Sequence, residues 1–501
     1  MGFKSKILRP YARKVSRDIQ RWSERAVEAQ HKIRSGLIRQ AAATRFGVDH
    51  RFSSIATYDD FKSLIPIRDY EGLRPYIDGI LKGEKNVLWP GKPKYLAKTS
   101  GTTSGVKYIP LTKESLPNHF GTARNAVMNF AAKTGEFGFF DGKMIFLSGS
   151  PEMQQTAGIP TGRLSGIVNH QIPSWLRTNQ MPSYKTNCIE DWETKLSAIV
   201  KETAGQPMTL ISGIPPWVQM YFEWLLKHTG ASDIKTLYPD FSVFVYGGVN
   251  YEPYRGSIEK LIGSSVHTIE TYPASEGFIA FQDSPAHDGL LLNADSGIFF
   301  EFIPADSYFD DAPKRLSLDQ VEKGVNYALL LSTNAGLWAY DIGDTIEFVS
   351  LEPFKIRVTG RVKHYISAFG EHVITKEVEQ AMNVACHVQG ASIVEFTVAP
   401  QVTPSDGGLP YHEWFVEFEK TPQNLRAFCE ALNAEMVQQN IYYKDLMKGH
   451  ILRPLVLRQV EKDTFRNYMK SQGKLGGQNK VPRLTNDRKM ADALNPYLIS
   501  S

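Results

Sequence analysis

Apolar residues recur along this chain in two rhythms. Near the N-terminus Val15, Ile19, Trp22, Ala26, Ala29, Ile33 and Leu37 follow at steps of three and four, which sets them on one face of a helix. Farther on they gather in short blocks that end in small or polar residues: MIFLSGS (144–150), MTLISGI (208–214), FSVFVYGGV (241–249) and VHTIETY (266–272). Such blocks, bounded by turn signals, read as buried strands. Helical patterns lie between several of them. PPWVQMYFEWLLKHTG has proline near its start and glycine at its end, the asymmetry expected of a helix. Buried strands alternating with helices predict an α/β core with a largely parallel sheet, in which ligands bind where strand C-terminal ends meet loops.

The rhythm then changes. GIFFEFIPA (297–305), NYALLLSTNAG (326–336) and DTIEFVS (344–350) come without intervening helices and predict an antiparallel or β-barrel-like subdomain. Beyond about residue 360 the pattern restarts. Glu413–Phe418 alternates like a half-buried strand, and Thr421 and Pro422 open a helix with Leu425, Phe428, Leu432 and Met436 on one face. HILRPLVLRQVEK reads as a further strand. The organisation expected is a large N-terminal domain over 1–360, with mixed, largely parallel sheets, and a small mobile α+β domain over 361–501.

Composition adds constraints. A chain of 501 residues with 42% apolar and 22% charged residues is ordinary globular material. Its net charge of +4 gives no argument for nucleic acid. The charge is uneven, however: residues 1–40 carry eleven Lys/Arg against three Asp/Glu, a balance of +8, which leaves −4 for the rest. The basic amphipathic helix docks on the domain surface in one reading; in the other it makes peripheral contact with an anionic membrane surface. Cys188, Cys386 and Cys429 are far apart and odd in number, so no disulfide framework or paired-thiol metal site is readable, and a reducing cytoplasm fits. No stretch approaches the ~20 apolar residues of a membrane span, and MGFKSKILRPYARK lacks the apolar run of a signal peptide.

The chemistry begins in AKTSGTTSGVKYIPLT (97–112). Consecutive hydroxyls, two glycines and Lys107 can wrap an oxyanion: glycine lets the backbone approach, hydroxyls and amides donate, and the lysine adds charge. A Ser/Thr/Gly-rich surface turn has the same composition. The loop is neither a Walker A motif nor a dinucleotide fingerprint, and the chain has no G-x-S-x-G elbow and no H-E-x-x-H helix. Three further clusters sit at predicted strand ends. VYGGVNYEPYR (245–255) places Gly247 and Gly248 directly after a strand. ETYPASEGF (270–278) offers Tyr272 and Glu276. LWAYDIGDTIEFV carries Asp344, and VTGRVKHYISAFGEHV carries Arg361. Singly each is weak, and Glu276 alone reads as a solvated loop acid. His364 and His372, which flank the junction near 361, read as structural.

Taken in order, TSGTTSG-x-K, Gly-Gly, Y-x-x-S-E, G-D and G-R resemble the adenylate-forming superfamily of acyl-CoA synthetases, peptide synthetase adenylation domains and luciferases. More closely, the chain resembles the plant acyl-acid amido synthetases that conjugate auxin and jasmonate to amino acids, and their bacterial homologues. The resemblance covers nearly the whole chain, including NKVPR at 479–483. It departs from the wider superfamily's S-G-T-T-G-x-P-K, because Ser104 is inserted and the proline is missing. It implies that Ser100, Thr102, Thr103, Ser104 and Lys107 contact ATP phosphates. It further implies that Gly247, Gly248 and Val249 flank adenine with Tyr272 against its face, and that Glu276 holds Mg²⁺, a hard cation suited to oxygen ligands. Asp344 is implied to bind the ribose hydroxyls and Arg361 to sit near ribose or phosphate. The catalytic lysine is Lys480 in QNKVPR or Lys474 in QGKLGG, with Lys480 favoured.

The activity implied is a ligase reaction. A small carboxylic acid attacks ATP to give acyl-AMP, and an amine, that of an amino acid, then takes the acyl group. An acyl-CoA ligase shares the first step and differs in its acceptor. A non-catalytic nucleotide-binding or membrane-associated protein that keeps the fold is the alternative of another class.

Overall fold

The structure, a computed structural model, describes residues 3–100, 106–171, 177–248, 251–286, 288–362, 365–366, 373–448, 451–475, 480–485 and 487–499. The chain forms two compact units, one of Met1–Gly248 and Ile262–Arg357, the other of Val249–Leu261 and Val358–Ser501.

The first unit opens with the helix Phe3–Ser23, followed after a break at residues 24 and 25 by Ala26–Ala41. The single N-terminal periodicity is thus split over two helices. Ala12, Val15 and Ile19 are buried with Met128, Phe130, Phe137, Leu210 and Val243, while Arg13, Lys14, Arg17 and Arg21 remain exposed. The apolar face is therefore spent on the core of this unit. The strands that follow are β1 (Tyr95–Ser100), β2 (Val106–Leu111), β3 (Lys143–Phe146), β4 (Gln154–Thr156), β5 (Ile159–Gly162), β6 (Gln180–Met181), β7 (Met208–Ser212), β8 (Val243–Gly247), β9 (His267–Pro273), β10 (Phe278–Phe281), β11 (Leu290–Leu292), β12 (Ile298–Pro304), β13 (Asn326–Thr333), β14 (Tyr340–Leu351) and β15 (Phe354–Arg361).

The four apolar blocks of the sequence become β3, β7, β8 and β9. They pair in parallel in the order β6-β3-β7-β8-β9, so their C-terminal ends share one edge. Helix Pro215–Thr229 crosses between β7 and β8 with its prolines in the first turn and Gly230 left-handed at its end, the termini that proline and glycine favour. The strands without intervening helices continue this same sheet. Antiparallel pairs β9-β10, β10-β11, β11-β15, β13-β14 and β12-β13 extend it to eleven strands. A second sheet of four strands, β2-β1-β5-β4, carries the β1–β2 hairpin.

The second unit is α+β. It contains β16 (Tyr365–Ile366), β17 (Val373–Ile374), β18 (Ser392–Gln401), β19 (Tyr411–Lys420) and β20 (Val456–Gln459), with β18-β19-β20 in one sheet. The helix expected to open at Thr421 begins at Leu425. Its cap is Asn424, whose side chain accepts from Ala427 N, and Phe428, Leu432 and Met436 lie fully buried. Asparagine supplies the acceptor that a first turn needs, and proline at 422 is too early to serve. Of the described residues in the apolar run 450–462, the strand takes Val456–Gln459.

Residues 249–261 fall inside the span read as the first domain, yet pack with the second unit. Most of this segment is the helix Glu252–Ile262. Arg483, 7% exposed, explains why. It pairs with Glu395 and Glu379 and donates to the Tyr254 hydroxyl at 2.9 Å, while Tyr254 donates to Glu395 at 3.0 Å. Ser257 on the same helix donates to Glu419. A buried guanidinium needs its carboxylates and hydroxyls on all sides, and this helix provides one of them.

Candidate active site

The β1–β2 hairpin brings its two strands into register from Tyr95–Leu111 to Ser100–Val106. Thr102, Thr103 and Ser104 lie outside the described residues, and Ser100 is placed by its backbone at the end of β1. Lys107 is the second residue of β2. Its ammonium lies 5.6 Å from the centre of the Tyr70 ring, a cation–π distance. Tyr70 is nearly buried, and its hydroxyl accepts from Tyr108 N at 3.0 Å. This tyrosine therefore anchors the hairpin just beyond its loop.

At the C-terminal edge of the parallel strands, Gly247 ends β8 opposite Thr271 of β9. A Cβ there would stand 2.3 Å from the Thr271 carbonyl oxygen, so the position excludes any side chain. Gly248 follows with φ +84, the left-handed region that glycine tolerates. Val249 lies outside the described residues. Tyr272, near the end of β9, donates its hydroxyl to Asp344 Oδ2 at 2.6 Å, and both residues are buried.

Glu276 sits in the turn between β9 and β10. The turn is closed by reciprocal backbone bonds, Ala274 N to Gly277 O at 2.9 Å and Gly277 N to Ala274 O at 3.2 Å. Asn118 clamps it from below: Oδ1 accepts from Phe278 N at 2.7 Å, while Nδ2 donates to Phe278 O at 3.2 Å and to Ser296 Oγ at 2.9 Å. Asn118 belongs to a single π-helical turn, Pro117–Gly121, of the kind often found at functional sites. Next to it His119 is buried, and burial lowers its pKa to about 4, which keeps the ring neutral.

Tyr340 is the first residue of β14. It is 1% exposed. Burial, and after it the charges of Glu276, Asp69 and Asp341 and the Tyr70 hydroxyl, push its own hydroxyl well above the ordinary tyrosine range. Lys107 over Tyr70 and Tyr272 on Asp344 are two contacts of the first unit, and the charge of Glu276 and the Tyr70 hydroxyl both act on Tyr340. Of the residues singled out from sequence, Lys107, Tyr272, Glu276 and Asp344 take part in these interactions, and Gly247 pairs with Thr271, the residue before Tyr272.

Arg361 ends β15 and is exposed. Lys480 is exposed, three residues before the buried Arg483 and outside any helix or strand, and Lys474 is exposed just past helix Thr464–Ser471, its backbone N–H bonded to Met469 O at 2.8 Å. His364 and His372 lie outside the described residues. Sequence reasoning passed over Tyr70, Asn118, Tyr340 and Asp341. The last two stood in the quoted LWAYDIGD but had no distinguishing signal; the first two had none at all. Among the described residues no three His, Cys, Asp or Glu side chains are grouped to hold a metal, and no helix is long and apolar enough to cross a membrane. A single carboxylate such as Glu276 suits Mg²⁺, which is commonly held by one or two carboxylates together with substrate phosphates.

Three family models match the chain: the GH3 family N-terminal domain over residues 15–201, the central domain over 291–361 and the C-terminal domain over 376–489. Among curated relatives, the jasmonoyl–L-amino acid synthetase JAR4 of Nicotiana attenuata is 23% identical over 84% of this chain and 85% of its own length. The indole-3-acetic acid-amido synthetase GH3.10 of Arabidopsis thaliana is 23% identical over 96% and 97%. Among solved structures, the AtGH3.15 acyl acid amido synthetase in complex with 2,4-DB superposes with a TM-score of 0.80 at 16% identity, covering 100% of this chain and 98% of that one. A 2-hydroxyisobutyryl-CoA ligase in the postadenylation state superposes with a TM-score of 0.60 at 11% identity, covering 93% and 90%. At these identities the structural likeness is one of fold.

Proposed function

The chain belongs to the GH3 family of acyl-acid amido synthetases, within the adenylate-forming superfamily, and on that premise we propose that it is an ATP-dependent ligase joining a small carboxylic acid to an amino acid. A carboxylate resists an amine because it is anionic and lacks a leaving group. In the first step its oxygen attacks the α-phosphorus of ATP, the bond to the β-phosphate oxygen breaks, and pyrophosphate departs. In the second the amine attacks the acyl carbon, loses a proton, and AMP leaves with the electron pair of the broken acyl–oxygen bond.

The observation that supports this reading is the buried Tyr272–Asp344 pair, with Lys107 held over Tyr70 just beyond the hydroxyl-rich loop. We assign Ser100, Thr102, Thr103, Ser104 and Lys107 to the phosphates, and Gly247, Gly248, Val249 and Tyr272 to adenine. Asp344 takes the ribose hydroxyls, and Arg361 the ribose or phosphates. Glu276 holds Mg²⁺, which when bound supplies positive charge to the departing pyrophosphate. Lys480 stabilises the charge that builds between attacking and leaving oxygens, a role typically worth ~3–4 kcal/mol of barrier. Residues 1–360 bind ATP and acid in this scheme, and 361–501 supply the lysine. Any membrane contact of the N-terminal helices rests on their exposed basic side chains.

The test is acid-dependent exchange of labelled pyrophosphate into ATP over aryl, indolyl and aliphatic acids, followed by mass spectrometry with amino acids or CoA as acceptor. Amide formation is expected. Because the fold is shared with a CoA ligase, thioester formation alone would replace the amide reading. E276A should abolish exchange while its circular dichroism stays that of the wild type; full exchange in that variant removes the metal role.

A further inference from the structure

We propose that Asp341 is a positioning residue for the nucleotide: its carboxylate holds the backbone excursion that presents Asp344. The proposal rests on the ribose role given to Asp344 above.

On a regular antiparallel ladder, pairing of Asp341 with Leu330 would put residue 343 opposite Ala328. Instead Thr345 stands there, two positions late. Ile342, Gly343 and Asp344 therefore face Leu329 alone, as a bulge that bends the strand and re-aims its side chains. Gly343 takes φ +77 within it. On the β13 side the ladder register is interrupted over these three residues, and Asp341 bonds the interrupted stretch directly. Its Oδ1 accepts from Gly343 N at 2.7 Å, and its Oδ2 accepts from the Tyr308 hydroxyl. Its backbone N–H donates to Arg68 O at 2.8 Å, and Arg68 N donates to Ala339 O at 3.1 Å, so the chain on both sides of Tyr340 is pinned to residue 68. From this fixed base the bulge delivers Asp344 to the Tyr272 hydroxyl. A carboxylate suits the task because its two oxygens accept in one plane from two directions, one toward the turn and one toward Tyr308.

The experiment compares pyrophosphate exchange by wild type, D341A, D341N and Y308F with ATP and with 2′,3′-dideoxy-ATP, which lacks the hydroxyls Asp344 would bind. D341A should raise the KM for ATP roughly tenfold, the scale of a charged hydrogen bond lost, while the dideoxy analogue and the acid KM change little. D341N should recover most of the loss, because its amide oxygen can still accept from Gly343 N. Y308F should fall between, and carries the test if D341A folds poorly. Equal losses with both nucleotides, or an unchanged KM for ATP, would overturn the proposal. A wild type with no acid-dependent exchange overturns the parent reading and this one together; an active wild type with equal losses overturns only this one.

Discussion

Tyr272 and Asp344 lie 72 positions apart and meet through a 2.6 Å hydrogen bond between buried side chains. Tyrosine on a carboxylate in a poorly solvated place is a strong pairing, and it fixes the acid that would face the ribose. Y272F should raise the KM for ATP by about three- to tenfold, the worth of one such bond, with the acid KM unmoved in the same exchange assay. His119 offers a second residue-level test. Its pKa falls from 6.5 to about 4 because burial disfavours the imidazolium. Above pH 6.5 folded and unfolded chains both hold it neutral, and it has no effect. Between pH 6.5 and 4 the unfolded chain takes up a proton that the folded chain refuses, so stability falls as pH falls. Urea unfolding at pH 7 and pH 4 should show the wild type losing about 3 kcal/mol more than H119Q over that interval.

At the scale of elements, the turn carrying Glu276 is held by Asn118, which spans from the π-turn to the backbone of Phe278. N118A leaves the Phe278 N–H without that acceptor. It should cost about 2 kcal/mol in chemical denaturation, and lower exchange more than the stability loss alone explains, because Glu276 is no longer fixed. The same comparison shows how far the sequence was legible. Apolar blocks revealed β3, β7, β8 and β9 because short apolar runs bounded by turn residues carry a dense local signal. Gly247 was visible as a glycine at a strand end, and the structure supplies the reason: the Thr271 carbonyl occupies the space of a side chain. Asn118 and Tyr70 were invisible because a lone asparagine or tyrosine has no period and no motif, and each acts through a partner distant in the chain. The bulge at Ile342–Asp344 was hidden for a related reason: it is defined by register against β13, which no local pattern encodes. Asn424 was missed in favour of Thr421 because capping residues look alike until the first buried turn is known.

At the scale of the whole molecule, the chain passes between its two compact units three times, after Gly248, after Leu261 and after Arg357. Tyr254, brought by the short middle visit, bonds both Arg483 and Glu395. Residues 358–501 expressed alone should therefore expose that cluster and melt below the same fragment supplied with a 249–262 peptide; calorimetry of the two would show the difference, and identical melting would remove Tyr254 from the account. A wider consequence concerns inheritance. Recombination that trades one C-terminal half for a cousin's at a single crossover would pair a newcomer with a foreign helix. Swapping the two stretches jointly, as one would move a zip with both its tapes, is the exchange this architecture tolerates.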